Sequence, residues 1–132
     1  MNKHKTKVYL AGGFRTNWQK KVIEACGESF MFFNPREHEL EIDSKQYTTW
    51  DLFHVKHCDI LFAYMEATNP SGLGLCLEVG YAKALGKTVV LIDEKSSNDE
   101  AFAKYFKIVR ESSDVLFNNL EDGIRFLSTF EK

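Results

Sequence analysis

Short apolar segments alternate with helix-like segments five times along this chain of 132 residues. The clearest apolar segment is Thr88-Val-Val-Leu-Ile92, which indicates a strand buried on both faces. Buried strands that alternate with helices are typical of a parallel sheet covered by helices on both sides. The pattern therefore predicts an α/β fold, a three-layer αβα sandwich around a five-stranded parallel sheet.

The apolar spacing and the turn residues set the expected limits of these elements. Asn17 is placed to cap the first helix, and Gly86 to end the third helix as a left-handed cap. The charged stretch before about Ser44 is expected to be an exposed loop. Strands are predicted at about 7–11, 29–33, 59–64, 88–92 and 114–117, and helices at about 18–26, 48–58, 74–85, 98–111 and 121–130. The first two helices are predicted to bury the apolar stripes Trp18, Val22, Ile23 and Cys26, and Trp50, Phe53, Val55 and Cys58.

The composition is that of an ordinary soluble globular protein, and residues 1–132 are expected to form a single domain. The net charge is −2 and the basic residues are scattered, which argues against nucleic acid or an anionic membrane surface as a partner. No apolar run reaches membrane-spanning length, and the first residues lack the apolar stretch of a signal peptide. Cys26, Cys58 and Cys76 form no Cys-x-x-Cys pair, so we expect free buried thiols in a cytoplasmic protein.

The predicted fold places a ligand site at one edge of the sheet. In open parallel sheets, ligands bind outside the carboxyl ends of the strands, where the winding reverses. The loops at those ends are 12–15, 34–36, 65–74 and 93–94, and Glu78 lies just beyond one of them. Functional side chains are therefore expected near these loops.

A glycine-rich turn leads into a helix with a single carboxylate in the segment Asn69-Pro-Ser-Gly-Leu-Gly-Leu-Cys-Leu-Glu78-Val-Gly80-Tyr-Ala82. A glycine-rich turn at a helix start lets backbone N–H groups approach a ligand closely. Glu78 lies about one turn into the helix, where the macrodipole favours an ionised carboxylate. An ionised, half-buried carboxylate beside such a turn suits nucleophilic attack on a sugar carbon. The alternative is an ordinary capping glutamate of the first turn.

Two further side chains are candidates to act with Glu78. Asp51 lies on the packing side of its helix, where burying an unpaired carboxylate is costly. The alternative for Asp51 is an ion pair or a charge near the helix N-terminus. Tyr9 is expected to point toward the site, since its neighbours Val8 and Leu10 face the other way. The alternative for Tyr9 is an ordinary core aromatic with a satisfied hydroxyl.

The turn Gly12-Gly13-Phe14 ends the first strand at the same edge of the sheet. Its glycines let the backbone approach a ligand, and Phe14 can stack on a planar ring. A plain tight turn is the alternative.

Other ligand motifs in the chain are incomplete. Gly86-Lys87-Thr88 ends like a phosphate-binding P-loop, but Tyr81 stands where the earlier glycine is required and a strand follows. Gly72-x-Gly74 lacks the third glycine of a dinucleotide fingerprint, so no NAD or FAD site is predicted. No metal site is predicted either, because one helix carries His54, His57 and Cys58 on different faces.

These residues together resemble the nucleoside 2-deoxyribosyltransferase family. The matching positions are Val8-Tyr9-Leu-Ala-Gly12-Gly-Phe14 with Trp18-Gln19, Asp51 ahead of Cys58-Asp59-Ile60, and Gly74-x-x-x-Glu78-x-Gly80-x-Ala82. The resemblance runs from the first strand to Asp93 and implies a flavodoxin-like fold. It implies that Glu78 is the nucleophile, that Asp51 handles the leaving base and that Tyr9 orients the carboxylate. The implied substrates are a nucleoside or nucleotide and a free nucleobase, with no metal or redox cofactor.

Two activities stay open, because the family's relatives include deoxynucleoside 5′-monophosphate N-glycosidases with the same fold and nucleophile. The transferases carry an Asp-x-Gly-Thr turn six residues before the Glu, where this chain has Gly72. Asn69 is a candidate to replace that Asp as the base contact, since an amide both donates and accepts. The hydrolases carry Pro-Ser-x-Gly, and Pro70-Ser71 is present here with one residue inserted. Ser71 and Arg15 are therefore candidate phosphate contacts.

The resemblance also implies a homo-oligomer, a dimer or larger, in which Asn118 or Asn119 is a candidate to enter a neighbouring site. The implied substrate-binding residues are Gly12, Gly13, Phe14, Asn69, Ser71 and Gly74. Two alternatives are a non-catalytic nucleotide-binding module of the same fold and, more remotely, a similarly folded domain that cleaves NAD with a single Glu.

Overall fold

Five parallel strands form one sheet in the order β2-β1-β3-β4-β5 within residues 4–37 and 43–131, which are the residues that the computed structural model describes. The strands are β1 (Thr6–Gly12), β2 (Phe30–Phe33), β3 (Ile60–Met65), β4 (Thr88–Asp93) and β5 (Val115–Phe117). The helices are α1 (Trp18–Cys26), α2 (Ser44–His57), α3 (Leu73–Ala84), α4 (Glu100–Glu111) and α5 (Leu120–Ser128), and 3₁₀ turns span Pro35–Glu37, Lys95–Asn98 and Thr129–Glu131. The predicted α/β class and the five-stranded parallel sheet are confirmed.

The core consists of two apolar layers, one on each face of the sheet. On one face, Val8 and Leu10 of β1 pack with buried side chains of α1 and α5. On the other face, Tyr9 and Leu61 pack with buried side chains of α2, α3 and α4. The alternation along β1 confirms that Tyr9 points away from its two neighbours. The sheet is therefore the middle of three layers, as the strand and helix pattern predicts.

The edge strands differ from the inner strands in their burial. Every residue of β3 is buried, as is all of β4 after Thr88, which agrees with strands covered on both faces. By contrast, Met31 of β2 is 46% exposed and Leu116 of β5 is 40% exposed. These two strands lie at the edges of the sheet, where the helical layers end. The apolar composition of a strand alone therefore overestimates the burial at an edge.

The second helix begins earlier than about Thr48, where the sequence pattern places its start. It begins at Ser44, because the Asp43 side chain accepts a 2.9 Å hydrogen bond from the Gln46 N–H and caps the helix. Most of the expected charged loop falls on residues 38–42, which lie outside the described residues. Phe53 is 56% exposed, so its assignment to the buried stripe is wrong, whereas Val55 is fully buried.

The predicted caps of the first and third helices have different outcomes. Asn17 precedes α1, but its side chain makes no cap hydrogen bond, so the predicted side-chain cap is wrong. Its backbone (φ −93°, ψ 52°) is outside the extended region that capping side chains normally need. Gly86 follows α3 with a φ of +76°, which confirms the left-handed cap. None of the described helices has the length and apolar character needed to cross a bilayer.

The three cysteines are free thiols, as predicted. Cys26 and Cys58 are buried, and burial raises the pKa of the Cys58 thiol to about 11. Cys76 is only half-buried, which corrects the expectation for that residue.

Candidate active site

A hydrogen bond joins Tyr9 and Glu78 at the centre of the candidate site. The Tyr9 hydroxyl donates to Glu78 Oε2 over 2.8 Å. Tyr9 belongs to β1 and is fully buried, because its strand has helices on both faces. Glu78 lies on the second turn of α3, whose buried side chains pack on the same face of the sheet. The register of β1 and the docking of α3 therefore place the two groups together.

Burial controls the charge of Glu78. The side chain is 9% exposed, so it is buried and not half-buried as expected. Desolvation raises the pKa of Glu78 to about 7, the negative charge of Asp51 adds to this rise, and the Tyr9 hydrogen bond opposes it. Burial therefore opposes the ionised form that the helix macrodipole is expected to favour. Glu78 lies beyond the first turn of α3, where the dipole acts most strongly, and desolvation dominates.

Asp51 of α2 reaches the same cluster. It interacts with the Tyr9 side chain both by hydrogen bonding and by charge. Burial is the largest cause of a strongly raised pKa for the Tyr9 hydroxyl, and the charges of Glu78 and Asp51 raise it further. Tyr9 therefore stays a neutral donor placed between two carboxyl groups. The structure brings the three candidate catalytic residues into one cluster.

A cavity of about 190 Å³ opens at the carboxyl ends of β1 and β3, and its lining includes Gly74, one helical turn before Glu78 on α3. Tyr9, Asp51 and Glu78 themselves are not in this lining. The two loops and the start of α3 that form it contribute Gly12, Gly13, Asn69, Ser71, Gly72, Leu73, Gly74 and Leu75. Five of the six candidate substrate-binding residues are in this lining. The sixth, Phe14, is not in this lining; it follows Gly13 in the first loop and is 53% exposed.

Gly72 shapes the start of α3 in a conformation that favours glycine. Its φ is +71°, in the left-handed region, and a Cβ would overlap the side chain of Met65 behind it. Gly72 has no side chain to cap α3, so within residues 4–37 and 43–131 the first backbone N–H groups of the helix are left without a side-chain cap beside the cavity. The start of the helix can therefore donate to a ligand.

Asn69 is 6% exposed and has a fixed orientation at the cavity wall. Its Oδ1 accepts a 3.2 Å hydrogen bond from the Ser71 N–H, so this backbone donor assigns the oxygen side of the amide. Its Nδ2 lies 3.0 Å from the point where a Cβ on Gly13 would stand. The amide therefore presents its donor to the first loop, and glycine at position 13 permits the close approach.

Comparison with known families identifies the group to which this architecture belongs. The sequence model of the family described as "Nucleoside 2-deoxyribosyltransferase like" matches residues 5–96. The chain belongs to this family. The matched range contains Tyr9, Asp51, Glu78 and both loops of the cavity. No curated protein sequence matches the chain.

Solved structures share the fold over nearly the whole chain. A conserved protein from Enterococcus faecalis V583 has a TM-score of 0.73 at 19% identity, covering 96% of this chain and 99% of its own. A 2-deoxyribosyltransferase from Bacillus psychrosaccharolyticus has a TM-score of 0.66 at 24% identity, covering 93% of this chain and 90% of its own. The CMP N-glycosidase BcmB from Clostridium botulinum has a TM-score of 0.63 at 21% identity, covering 94% of this chain and 99% of its own. These similarities show the fold.

Glu66 is a further buried carboxylate close to the cavity, and neither the family motif nor the glycine-rich turn indicates it. It follows β3 and is 2% exposed. Its Oε1 accepts a 2.7 Å hydrogen bond from the Thr16 hydroxyl, and its backbone carbonyl accepts the Asn69 N–H over 3.1 Å. Glu66 therefore ties the two loops of the cavity to each other. A polar residue directly after a wholly apolar strand is the sequence signal for it.

The two asparagines that the resemblance associates with a neighbouring site lie elsewhere. Asn119 caps α5, because its Oδ1 accepts a 2.9 Å hydrogen bond from the Asp122 N–H. Asn118 lines a different cavity, of about 410 Å³, together with Asp93 and Arg110. Neither residue lines the glycine-rich cavity of its own chain.

Proposed function

We propose that the protein cleaves the N-glycosidic bond of a 2-deoxynucleoside and transfers the 2-deoxyribosyl group to a second nucleobase. The observation that carries this proposal is the 2.8 Å hydrogen bond from Tyr9 to the buried Glu78, one turn along α3 from Gly74 in the lining of a glycine-rich cavity. Membership of the nucleoside 2-deoxyribosyltransferase-like family supports the same chemistry. Residues 1–132 would act as one domain with this site at the carboxyl edge of its sheet.

In the first step, the ionised Glu78 attacks the anomeric carbon of the sugar. A C–O bond to the carboxylate forms as the C–N bond to the base breaks, which leaves a covalent deoxyribosyl-enzyme. The electron pair of the C–N bond leaves with the base, and Asp51 donates a proton to that base, directly or through water. Tyr9 orients the attacking carboxylate through its hydroxyl.

In the second step, a nitrogen of the incoming base attacks the same carbon, and the bond to Glu78 breaks. The incoming base releases a proton to Asp51, which restores both carboxyl groups to their starting states. The cycle balances without a redox step or a metal. If water takes the place of the second base, the same step is hydrolysis, so exclusion of water by the bound base decides the outcome.

A second candidate function is hydrolysis of a deoxynucleoside 5′-monophosphate. The observation that favours it is the uncapped start of α3, which opens onto a cavity lined by Ser71 and glycines. Uncapped N–H groups at a helix start and a serine hydroxyl are good ligands for a phosphate. Arg15, which follows Phe14 in the first loop, would supply a positive charge.

We further propose that the protein is a homo-oligomer in the cytoplasm, where nucleosides and free bases meet. Leu73 and Leu77 of α3 are 77% and 58% exposed, and Tyr105 and Ile108 of α4 are 81% and 75% exposed. Exposed apolar surface on neighbouring helices favours contact with another copy. Leu73 also lines the cavity, so a second copy at this face would border the site. Size-exclusion chromatography with light scattering should give the mass of a dimer or a larger oligomer. The double variant Leu77→Lys/Ile108→Lys should give the mass of a monomer.

A base-exchange assay tests the activity directly. The protein is mixed with deoxyinosine and free adenine or cytosine, and the new deoxynucleoside is measured by chromatography. Formation of deoxyadenosine or deoxycytidine with release of hypoxanthine is the expected result. A parallel reaction contains a deoxynucleoside 5′-monophosphate alone, and release of free base with deoxyribose 5-phosphate would support the hydrolase instead.

Ligand binding without turnover in either reaction would contradict both enzymatic proposals and favour a binding module. Glu78→Gln serves as the control for contaminating activity, because it has nearly the same shape and still accepts from Tyr9. Any turnover that Glu78→Gln retains at the rate of the parent would exclude Glu78 as the nucleophile.

A further inference from the structure

A chain of polar contacts holds the first loop of the cavity from its outer side. Arg36, in the 3₁₀ turn after β2, donates from Nη2 to the Thr16 carbonyl over 2.8 Å. Its Nε donates to Gln19 Oε1 over 3.3 Å. Gln19 is fully buried and donates in turn to the Gly13 carbonyl over 3.2 Å. One guanidinium is thereby linked to the glycine at the cavity wall.

The same guanidinium covers one face of Phe14. The Arg36 Cζ lies 4.8 Å from the centroid of the Phe14 ring, within the range of a cation–π contact. The ring is 53% exposed, so this contact restricts a side chain that would otherwise be mobile in solvent. Because one face is covered by Arg36, a planar ligand would stack on the other face.

We propose that Arg36 is a positioning residue for the nucleobase. It holds the Phe14 ring by the cation–π contact, while Trp18 and Gln19 hold the Gly13 carbonyl behind it, so that the stacking surface exists before the base arrives. Ordering this loop in advance removes a cost that binding would otherwise carry. The proposal rests on the proposed function, because it requires a base-bearing ligand at this cavity.

The loop has other anchors, so a change at Arg36 should leave the fold intact. Trp18 Nε1 also donates to the Gly13 carbonyl, over 3.0 Å, and the Thr16 hydroxyl donates to the buried Glu66. Both contacts are independent of Arg36. Removal of the guanidinium should therefore loosen Phe14 without releasing the loop from β3.

A double-mutant cycle between positions 36 and 14 tests the proposal. Arg36→Met, Phe14→Leu and the double variant are made in the Glu78→Gln background, and binding of deoxyadenosine is measured by calorimetry. Each single change should weaken binding about tenfold, given typical cation–π and base-stacking contributions. The double variant should bind no more weakly than Phe14→Leu, because Arg36 acts through the ring.

Controls separate positioning from a general structural effect. Lys20→Met removes a positive charge from the same outer groove as Arg36 and should leave deoxyadenosine affinity unchanged. Arg36→Lys retains the charge but not the guanidinium fork, so its affinity should fall between those of Arg36 and Arg36→Met. Binding of 2-deoxyribose, which has no base to stack, should not change in Arg36→Met.

Additive losses in the cycle, or equal losses for 2-deoxyribose, would overturn the positioning role while leaving the proposed function intact. By contrast, if the Glu78→Gln parent binds no nucleoside at all, the proposed function itself is wrong, and the role of Arg36 in base binding fails with it.

Discussion

The Tyr9 hydroxyl donates a 2.8 Å hydrogen bond to Glu78 Oε2 and so joins the first strand to a helix 69 residues further along the chain. One oxygen of the Glu78 carboxylate is thus held in place by the first strand. The bond also opposes the effect of burial, since it lowers the pKa of Glu78.

Glu78→Gln should abolish turnover while preserving the site. The amide has the same shape and still accepts from Tyr9, but it cannot attack the anomeric carbon as a carboxylate does. We expect the rate of base exchange to fall at least about a thousandfold. Chromatographic rate measurements check this, with circular dichroism to show that the fold is unchanged. A loss of less than tenfold would contradict the nucleophilic role.

The activity should depend on pH through the charge of Glu78. Burial raises the pKa of Glu78 to about 7, and only the ionised carboxylate is nucleophilic. We therefore expect kcat/KM to rise with pH up to about 7 and to fall about tenfold for each pH unit below it. A pH–rate profile of the base-exchange reaction measures this limb. A profile that stays flat down to pH 5 would show that another group controls the rate.

Tyr9→Phe should shift the rise of kcat/KM with pH toward higher pH. The hydroxyl lowers the pKa of Glu78 by donating to the charged form, so its removal leaves burial less opposed. We expect a rate loss of about ten- to a hundredfold at pH 7, since the pKa rises and orientation is lost. The loss should become smaller at pH 9, where Glu78 would again be ionised. A loss that is equal at both pH values would indicate an effect on orientation alone.

The same burial should make Glu78 a source of instability at neutral pH. The pKa of Glu78 is about 7 in the folded protein and near 4.5 when unfolded, so between these values the folded state binds more protons. The free energy of unfolding therefore falls as pH rises through this window, by up to about 3 kcal/mol. Glu78→Gln lacks this dependence and should be more stable than the parent at pH 8. The difference should vanish near pH 4, and urea unfolding at both pH values checks it.

Gly72→Ala should destabilise the protein and disturb the start of α3. A Cβ at this position would overlap the Met65 side chain, in addition to the cost of a left-handed backbone. Gly86→Ala is the matched control, because its φ of +76° is similar but a Cβ there meets open space. We expect about 1 kcal/mol for Gly86→Ala and at least about 2 kcal/mol for Gly72→Ala in thermal unfolding. Equal losses of stability in the two variants would show that the Met65 side chain moves aside without a cost in free energy.

The local pattern predicts helix ends unevenly, and the reason lies in which groups are available as caps. Gly86 ends α3 in the predicted left-handed conformation, because a glycine at a helix end meets no steric opposition. Asn17 and Asp43 are both suitable capping residues by type, yet only Asp43 accepts a helix N–H. Their backbone conformations differ, and the neighbouring loop fixes those conformations. Residue type alone cannot distinguish the two cases.

In the candidate site too, some features follow from the local sequence and others depend on tertiary packing. The motif around Glu78 and the register of Tyr9 follow from residue order, since strand alternation places Tyr9 on the α3 face of the sheet. Arg36 belongs to no motif, and its contacts with Gln19 and the first loop depend on how α1 and the turn after β2 pack. Such long-range polar contacts have no sequence period to predict them.

By itself, the sequence determined the layered fold, because periodic burial and glycine turns are local properties. It also predicted the edge of the sheet and the carboxylate of the candidate site. Only the tertiary structure decided the charge of Glu78. That charge depends on how much water the packed sheet and helices exclude and on which donors they bring near, and both arise from residues far apart in the chain.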